Sequence, residues 1–333
     1  PGGRQQGYLD YQKGGGVMLS RSAERIYWLA RYMERTENIA RLVNVYMNLL
    51  YDLPRTVEVG WHTLILITEG QEHFFKRYTI ANERNITRFL LADRTNPGSL
   101  FSSLDLAREN IRTSRELLPD EAWEQVNEMY LFAKANLEML SNRSGRARFL
   151  QEISKGCQLF TGLLSGAMSH NIPYHFIRIG RNLERADMTT RILDVGSVLL
   201  AEDRSKEMRQ YESMLWINVL KSLSALLMYR QHVRTRIKGA DVLDYLIKDE
   251  ALPRSVSHCI EEVRGSVLTL PNFNNLPESL NELNEYIHGL DVKRAGQKQL
   301  HQMLDDIQSR LGGLHMEISA TWFTLKPSAC TDQ

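Results

Sequence analysis

Two glutamates with matching neighbours are the residues of this 333-residue chain best suited to acid–base chemistry. Glu34 stands in "RYMERTENIAR", and Glu184 stands in "RNLERADMTTR" 150 residues later. A carboxylate buried among arginines can have a shifted pKa and transfer a proton, so both glutamates are candidate catalytic residues. Arginine grips carboxylates and phosphates through paired hydrogen bonds, which suggests an anionic ligand. The candidate ligand-binding residues are Arg31, Arg35, Arg41, Arg181, Arg185, Arg191 and Arg254.

The two segments align without a gap over eleven residues, and their charges agree where their apolar residues differ. Trp28 corresponds to Arg178, for example, and Tyr32 corresponds to Asn182. An exposed ion-pair face tolerates exchanged residues, whereas a buried network needs nearly every hydrogen bond to offset desolvation. We therefore expect the charged residues of the two segments to face each other or a shared anionic ligand. The alternative is a solvated face of surface pairs, each worth about 0.3 to 0.5 kcal/mol.

Hydrophobic periodicity from Ser20 onward is close to 3.6 residues, and no alternating strand pattern is visible. This pattern predicts an all-α fold. Loop residues and prolines separate the periodic segments. The pattern predicts helices near 21–51, 57–80, 82–93, 99–117, 120–140, 146–170, 173–202, 206–235, 240–248, 254–270, 278–290 and 293–324.

An internal duplication is indicated by further matches at offsets of 150 to 156 residues. We predict a duplicated helical bundle with two pseudo-symmetric lobes. The matched pairs are Met18 with Met168, Trp61 with Trp216, Asp93 with Asp249, Pro97 with Pro253 and Ser99 with Ser255.

The duplication divides the chain into four parts. Residues 1–17 are glycine-rich and lack a hydrophobic period, so they are predicted to be a disordered or non-native extension. Residues 18–145 form the predicted first lobe and residues 146–325 the predicted second lobe. Residues 326–333 are a tail.

Composition excludes some classes of partner. With 41 basic and 40 acidic residues, the net charge does not indicate an anionic membrane or nucleic acid. Nucleic-acid binding through arginine-rich helices remains an alternative, which the interleaved acids weaken. Apolar runs fall far short of the roughly 18 to 20 residues that a membrane helix needs, so we expect no membrane partner. Three widely spaced cysteines favour a reducing, cytoplasmic location.

Known catalytic and cofactor motifs are absent from the sequence. It has no phosphate-binding loop, dinucleotide glycine fingerprint, nucleophile elbow or His-Glu-x-x-His zinc motif. We therefore expect neither a cofactor nor a metal. His170 and His175 are five residues apart around a helix start, which favours capping or packing over metal binding.

Three segments, "SRSAERIYWLARYMERTENIARL", "RNLERADMTTRIL" and "ALPRSVSHCIEEVR", resemble the bacterial alpha-E family, an all-helical family named for its Glu-Arg motif. The resemblance covers Met18 to about Thr324. Tyr174 and Ala167 depart from the Trp and Thr that the family leads us to expect. The signature falls on Arg31, Glu34, Arg35, Arg181, Glu184 and Arg185.

The resemblance also implies partners. Genes of the family neighbour or fuse to a circularly permuted ATP-grasp ligase, often near transglutaminase-like peptidases and a proteasome-like hydrolase. This association implies an accessory or co-catalytic role in an amide- or peptide-ligase system that modifies proteins. An Arg/Glu pocket would then face an acidic peptide, a small anionic ligand or the ligase, which would supply the nucleotide site. The alternative is a stand-alone acyl-transfer or hydrolytic enzyme that uses Glu34 and Glu184.

Overall fold

The computed structural model describes residues 8–9, 18–54, 59–197, 209–233 and 236–324. These residues form fourteen α-helices, which confirms the predicted all-α class. The helices are α1 (Ser20–Asp52), α2 (His62–Ile67), α3 (Gln71–Phe75), α4 (Glu83–Leu91), α5 (Leu100–Arg112), α6 (Asp120–Ala135), α7 (Arg143–Ala167), α8 (Ile172–Ser197), α9 (Glu212–Ser222), α10 (Leu226–His232), α11 (Gly239–Lys248), α12 (Val256–Val267), α13 (Leu276–Gly289) and α14 (Gln297–Ile318).

Short elements complete the described chain. Two-residue strands β1 (Tyr8–Leu9) and β2 (Met18–Leu19) pair in antiparallel register just before α1. The rest of the predicted extension 1–17 and the predicted tail 326–333 lie outside the described residues. Turns of 3-10 helix occupy Arg115–Leu117 and Leu137–Ser141, and a π-helical turn, Ser319–Phe323, follows α14.

Helices α1 and α8 carry the two charged motifs and lie at the centre of the packing. Helix α1 has 33 residues with no proline or glycine, so nothing in its interior interrupts the backbone hydrogen bonds. It packs against α8, α5 and α7, and α8 packs in turn against α12 and α14. The buried apolar side chains of these helices form one continuous core. The motifs are therefore held by the most extensively packed elements.

Two of the predicted helices are each divided in the structure, which corrects the predictions for 57–80 and 206–235. A left-handed residue lies two positions beyond the end of each first helix, Glu69 after α2, with φ of 50°, and Ser224 after α9, with φ of 54°. In both turns the next amide donates to the carbonyl five residues earlier, which closes a Schellman-type helix end. These bonds are Gly70 N to Ile65 O at 3.0 Å and Ala225 N to Leu220 O at 2.8 Å.

The two breaks are 155 residues apart, within the offsets of the predicted duplication. The matched serines also have the same role. The Ser99 side chain accepts from the Ser102 amide to begin α5, and the Ser255 side chain accepts from the His258 amide to begin α12. These local equivalences support the duplication, while the division into two lobes stays a prediction.

Among the described residues, no helix combines the length and the apolar character needed to cross a bilayer.

Candidate functional site

The helix pair α1–α8 brings the two motifs together because one residue of the contact is a glycine. A side chain at Gly180 would place its Cβ only 2.3 Å from the backbone oxygen of Tyr27. The helix backbones therefore touch here, and only glycine leaves room for that approach. Within about two turns of this contact, the charged residues of each motif reach the opposite helix.

Glu184 on α8 is held by two arginines of α1. Its Oε2 accepts from Arg31 Nε at 2.8 Å, and its Oε1 accepts from Arg35 Nε at 2.6 Å. A further bond from Arg35 Nη2 to Oε2, at 3.0 Å, makes that pair bidentate. The Glu184 side chain is only 2% exposed, so these bonds replace its hydration.

Glu34 on α1 has a corresponding environment. Arg185 of α8 donates to both of its oxygens, Nε to Oε1 at 3.1 Å and Nη2 to Oε2 at 2.8 Å. Arg254 adds a bond from Nη1 to Oε1 at 2.6 Å. Each glutamate of the two Glu-Arg pairs is thus enclosed by two guanidinium groups.

The bidentate pairs are exchanged between the helices. Arg35 binds Glu184 and Arg185 binds Glu34, so a shift of 150 residues converts one pair into the other. Reciprocal contacts of this kind arise where two like surfaces meet about a two-fold axis. The geometry of this helix pair therefore agrees with the prediction that the charged residues of the two motifs face each other rather than solvent.

Arg254 breaks this symmetry. Its side chain is 10% exposed, and it also donates to Asn38 Oδ1 at 2.9 Å and Glu37 Oε1 at 3.2 Å. It reaches them from the turn before α12, where its carbonyl oxygen accepts from Thr189 Oγ1 at 2.9 Å. Gly98, at the matching place in the first half, has no side chain for this role.

The outer ends of both motifs bind the left-handed turns of the opposite half. Arg41 donates to Ser224 Oγ at 3.0 Å and to the carbonyl oxygen of Ser222 at 3.0 Å. Arg191 lies 2.6 Å from a carboxylate oxygen of Glu69. Each arginine also pairs with the acid four residues earlier on its own helix, at 2.8 Å for Glu37 and 3.0 Å for Asp187.

Arg181 differs from the other predicted ligand-binding arginines. Its Nε is buried and has no hydrogen-bond partner among the described residues. It borders a pocket of about 10 Å³, lined also by Glu34, Glu37 and Cys157, which has room for about one water molecule. Its counterpart Arg31 binds Glu184, but the corresponding place at Glu34 is taken by Arg254.

The arginines keep both glutamates ionised. Burial alone would raise the pKa of Glu34, but Arg185 and Arg254 outweigh it and hold the pKa below its usual value. Burial is likewise outweighed at Glu184, where Arg35 and Arg31 lower the pKa to about 2. Ionised carboxylates with lowered pKa values are poor general acids and weak bases at neutral pH. Both glutamates are thus suited to a structural role, as permanently ionised partners of the buried arginines.

The basic partners are affected differently by burial. Burial lowers the pKa of Arg254 to about 10, although Glu34 counteracts it, so the guanidinium stays protonated at neutral pH. The pKa of Arg181 is lowered by burial and by the nearby charge of Arg185. Burial alone would lower the pKa of Arg31, but Glu184 outweighs it and the pKa is raised.

Aromatic side chains beside Arg31 were not identified from the sequence. Arg31 Nη1 donates to Tyr27 Oη at 3.2 Å, and its guanidinium lies 5.1 Å from the ring centre of Trp28. Tyr27 Oη also lies 2.8 Å from His315 Nδ1 on α14. Tyr27 and Trp28 stand four and three residues before Arg31, one helical turn away, which was an available signal. His315 is 284 residues from Arg31, and no local pattern marks it.

A second ionic cluster joins α8 to α14, away from the Glu-Arg pairs. His301 Nδ1 lies 2.6 Å from Asp194, and its Nε2 lies 3.5 Å from Asp305. Among the described residues, this is the group whose histidine and carboxylate atoms lie close enough to hold a metal ion. Both ring nitrogens already face carboxylates, so a protonated imidazole satisfies the cluster by itself.

The class of protein is shown by comparison of the sequence with known families. The chain belongs to the Alpha-E family, whose description is "A predicted alpha-helical domain with a conserved ER motif" and which matches residues 18–323. The Glu-Arg pairs of this chain stand at 34–35 and 184–185.

Curated relatives are longer than this chain. An uncharacterised protein of Mycobacterium bovis and two uncharacterised proteins of Mycobacterium tuberculosis are each 22% identical over 331 residues. The match covers 91% of this chain but 36% of each relative, so the chain spans about a third of their length. No solved structure matches the chain.

Proposed function

We propose that this Alpha-E protein is an accessory or co-catalytic partner of an ATP-grasp-type amide or peptide ligase in a cytoplasmic peptide-synthesis or protein-modification system. The observation that carries the accessory role is the enclosure of Glu34 and Glu184. Each is at most 3% exposed and is bound by two arginines. The described pocket beside Glu34 holds about one water molecule, so no substrate fits there without rearrangement.

Enclosure favours a supporting role over an independent reaction. A stand-alone acyl-transfer or hydrolytic enzyme would need substrate within about 3.2 Å of Glu34 or Glu184. The arginines already occupy those positions, at 2.6 to 3.1 Å. The network is better suited to fixing the arrangement of α1, α8 and α12, and with it the surface that a partner would recognise.

The choice of a ligase as partner rests on the family. Resemblance to alpha-E proteins implies circularly permuted ATP-grasp ligases, with transglutaminase-like peptidases as a second expected group. The longer mycobacterial relatives are compatible with this, because the matched region occupies only 36% of each chain. A region that occurs within a longer protein commonly acts beside its neighbouring domains. An acidic peptide or small anion remains the proposed ligand of the arginines, and reaching the buried Nε of Arg181 would require the pocket beside Glu34 to open.

The test is co-expression with a circularly permuted ATP-grasp ligase of the kind that the family resemblance implies. We expect the two proteins to copurify and the ligase to consume ATP faster with its acceptor present. Arg254→Lys keeps the charge but cannot make the three observed bonds, so it should reduce the stimulation. The matched control Lys155→Arg changes an exposed residue and should leave the stimulation unchanged.

The result can reject the proposal directly. A properly folded wild-type protein that neither binds the ligase nor changes ATP turnover would refute the ligase partnership. Turnover of peptide substrates by the purified protein alone, lost on Glu34→Gln or Glu184→Gln, would instead establish the stand-alone enzyme. Circular dichroism of each variant separates loss of function from loss of fold.

A further inference from the structure

A cleft with a basic wall lies between α4 and the 3-10 turn Leu137–Ser141. Its volume is about 880 Å³, which is within the range of clefts that bind small molecules. Arg84, Arg88 and Arg146 line it, together with Glu83. None of these residues belongs to the network of the Glu-Arg pairs.

Arg84 and Arg88 are exposed and have no hydrogen-bond or ion-pair partner for their side chains among the described residues. They stand four residues apart on α4, where like charges face each other and destabilise an isolated helix by a few tenths of a kcal/mol. The cleft carboxylate does not relieve this repulsion, because Glu83 is paired with Arg146. Two positive charges are thus left uncompensated at the cleft.

Arg146 is a buried arginine that holds the walls of the cleft in place. It is 3% exposed, and it pairs with Glu83 while donating from Nη1 to the carbonyl oxygen of Leu140 at 3.2 Å. Its Nε lies 3.4 Å from the sulfur of Met47. A buried arginine held from three sides joins α7 to both walls of the cleft and limits their movement.

The second half of the chain shows that the helix does not require this charge. Helix α11 matches α4 at an offset of 156 residues, and Ala240 and Asp244 occupy the positions of Arg84 and Arg88. Asp244 lies 3.3 Å from Lys293, so that position is already neutralised. The arginine pair of α4 is therefore a property of the first half alone, and the shared helical scaffold gives no reason for it.

The opposite wall of the cleft is apolar. Leu137 is 37% exposed, and Leu140 lines the cleft beside it. We propose that the cleft binds a small ligand that carries an oxyanion, either a carboxylate or a phosphate, attached to an apolar chain. The oxyanion lies against Arg84 and Arg88, and the apolar chain lies along Leu137 and Leu140. This site is independent of the proposed ligase partnership.

The test titrates the full-length protein with three probes, namely octanoate, octyl phosphate and inorganic phosphate, by isothermal titration calorimetry. We expect saturable one-to-one binding of octanoate, octyl phosphate or both, and weaker binding of inorganic phosphate, which lacks the apolar chain. Arg84→Gln/Arg88→Gln should weaken the binding about tenfold or more, because two charge-assisted hydrogen bonds are lost. Added salt should weaken wild-type binding as well.

The matched control is Arg148→Gln/Arg230→Gln, which removes the same charge from two exposed arginines outside the cleft. We expect it to bind as the wild type does. Binding of octanoate alone would assign a carboxylate, and binding of octyl phosphate alone would assign a phosphate. Absence of saturable binding by all three probes, or equal weakening in both double variants at unchanged melting temperature, would overturn the proposal.

Discussion

Removal of one carboxylate leaves two arginines without their shared partner, so single residues of the network have large expected effects. Glu184→Gln removes the charge that binds Arg31 and Arg35 at 2.8 and 2.6 Å. Loss of one partner of a buried ion pair costs about 3 to 5 kcal/mol, and we expect the free energy of unfolding to fall by that order. Urea denaturation followed by circular dichroism measures the change.

The control for Glu184→Gln is Glu152→Gln, which removes a carboxylate from an exposed pair with Lys155. Its denaturation midpoint should match that of the wild type, because such pairs contribute little. Equal midpoints for Glu184→Gln and the wild type would show that the network is not a source of stability.

The histidine that joins α8 to α14 should make stability depend on pH. The hydrogen bond and charge of Asp194 raise the pKa of His301 above its usual 6.5. The folded state therefore binds the proton more tightly than the unfolded state. The resulting stabilisation is complete below pH 6.5 and is lost as the pH rises through the raised value.

Thermal melting of the wild type and of His301→Gln across this range measures the effect. We expect the difference in melting temperature between the two proteins to shrink as the pH rises from below 6.5. Asp194→Asn should reduce the dependence, since it removes the larger cause of the raised pKa. A difference that stays constant with pH would contradict this account.

The sequence predicted much of the network at this scale because residue type and spacing were repeated. It could not predict that Arg254 would bind Glu34 or that His315 would lie beside Tyr27, since these contacts join residues 220 and 288 positions apart. Only the packing of helices decides such contacts. Arg181 is unpaired because Arg254 occupies the corresponding place at Glu34, so the repeat alone did not indicate this state.

At the scale of helices, replacement of glycine by alanine should have opposite effects on stability at Gly180 and at Gly162. Gly180→Ala would set its methyl group 2.3 Å from the Tyr27 carbonyl, so α1 and α8 must separate. Overpacking of this kind costs about 1 to 3 kcal/mol, and we expect destabilisation of at least that order. Differential scanning calorimetry of the purified variant measures it.

Gly162→Ala on α7 is the matched control. No atom lies within 4 Å of the Cβ that it would introduce, and alanine is favoured over glycine in a helix by about 1 kcal/mol. We expect a higher melting temperature for this variant. If Gly180→Ala also raised the melting temperature, the close approach of the two helices would be wrong.

Helix identity was predictable from periodicity, but two helix ends were not. The segments 57–80 and 206–235 each keep an apolar period past their breaks, and the left-handed residues there are Glu69 and Ser224. Glycine is the usual residue at such a position, so neither residue provided a signal.

At the scale of the whole molecule, one core joins the predicted lobes. Buried residues of α1 and α8 belong to the same continuous cluster, and their helices form the central contact. We therefore expect fragments 18–145 and 146–325 to lack a cooperative unfolding transition when each is produced alone. Circular dichroism with urea titration, compared with residues 18–325 intact, provides the measurement.

Mixing the two fragments supplies the complementary arm of that experiment. Each motif would regain its partner, so helicity and a cooperative transition should increase on mixing. A fragment that unfolds cooperatively by itself would instead identify an autonomous lobe, and the shared core would then be dispensable for folding.

The asymmetry at Arg254 has a consequence for how the two motifs can change over evolutionary time. A homodimer of one repeat must place the same residue at both equivalent positions, whereas a single chain can place Arg254 on one side and Gly98 on the other. Because Arg254 binds Glu34, Arg181 does not bind this glutamate in the way that its counterpart Arg31 binds Glu184. Under the predicted duplication, one chain with two copies of the motif leaves the Arg181 guanidinium available for a different role while Arg254 keeps Glu34 bound.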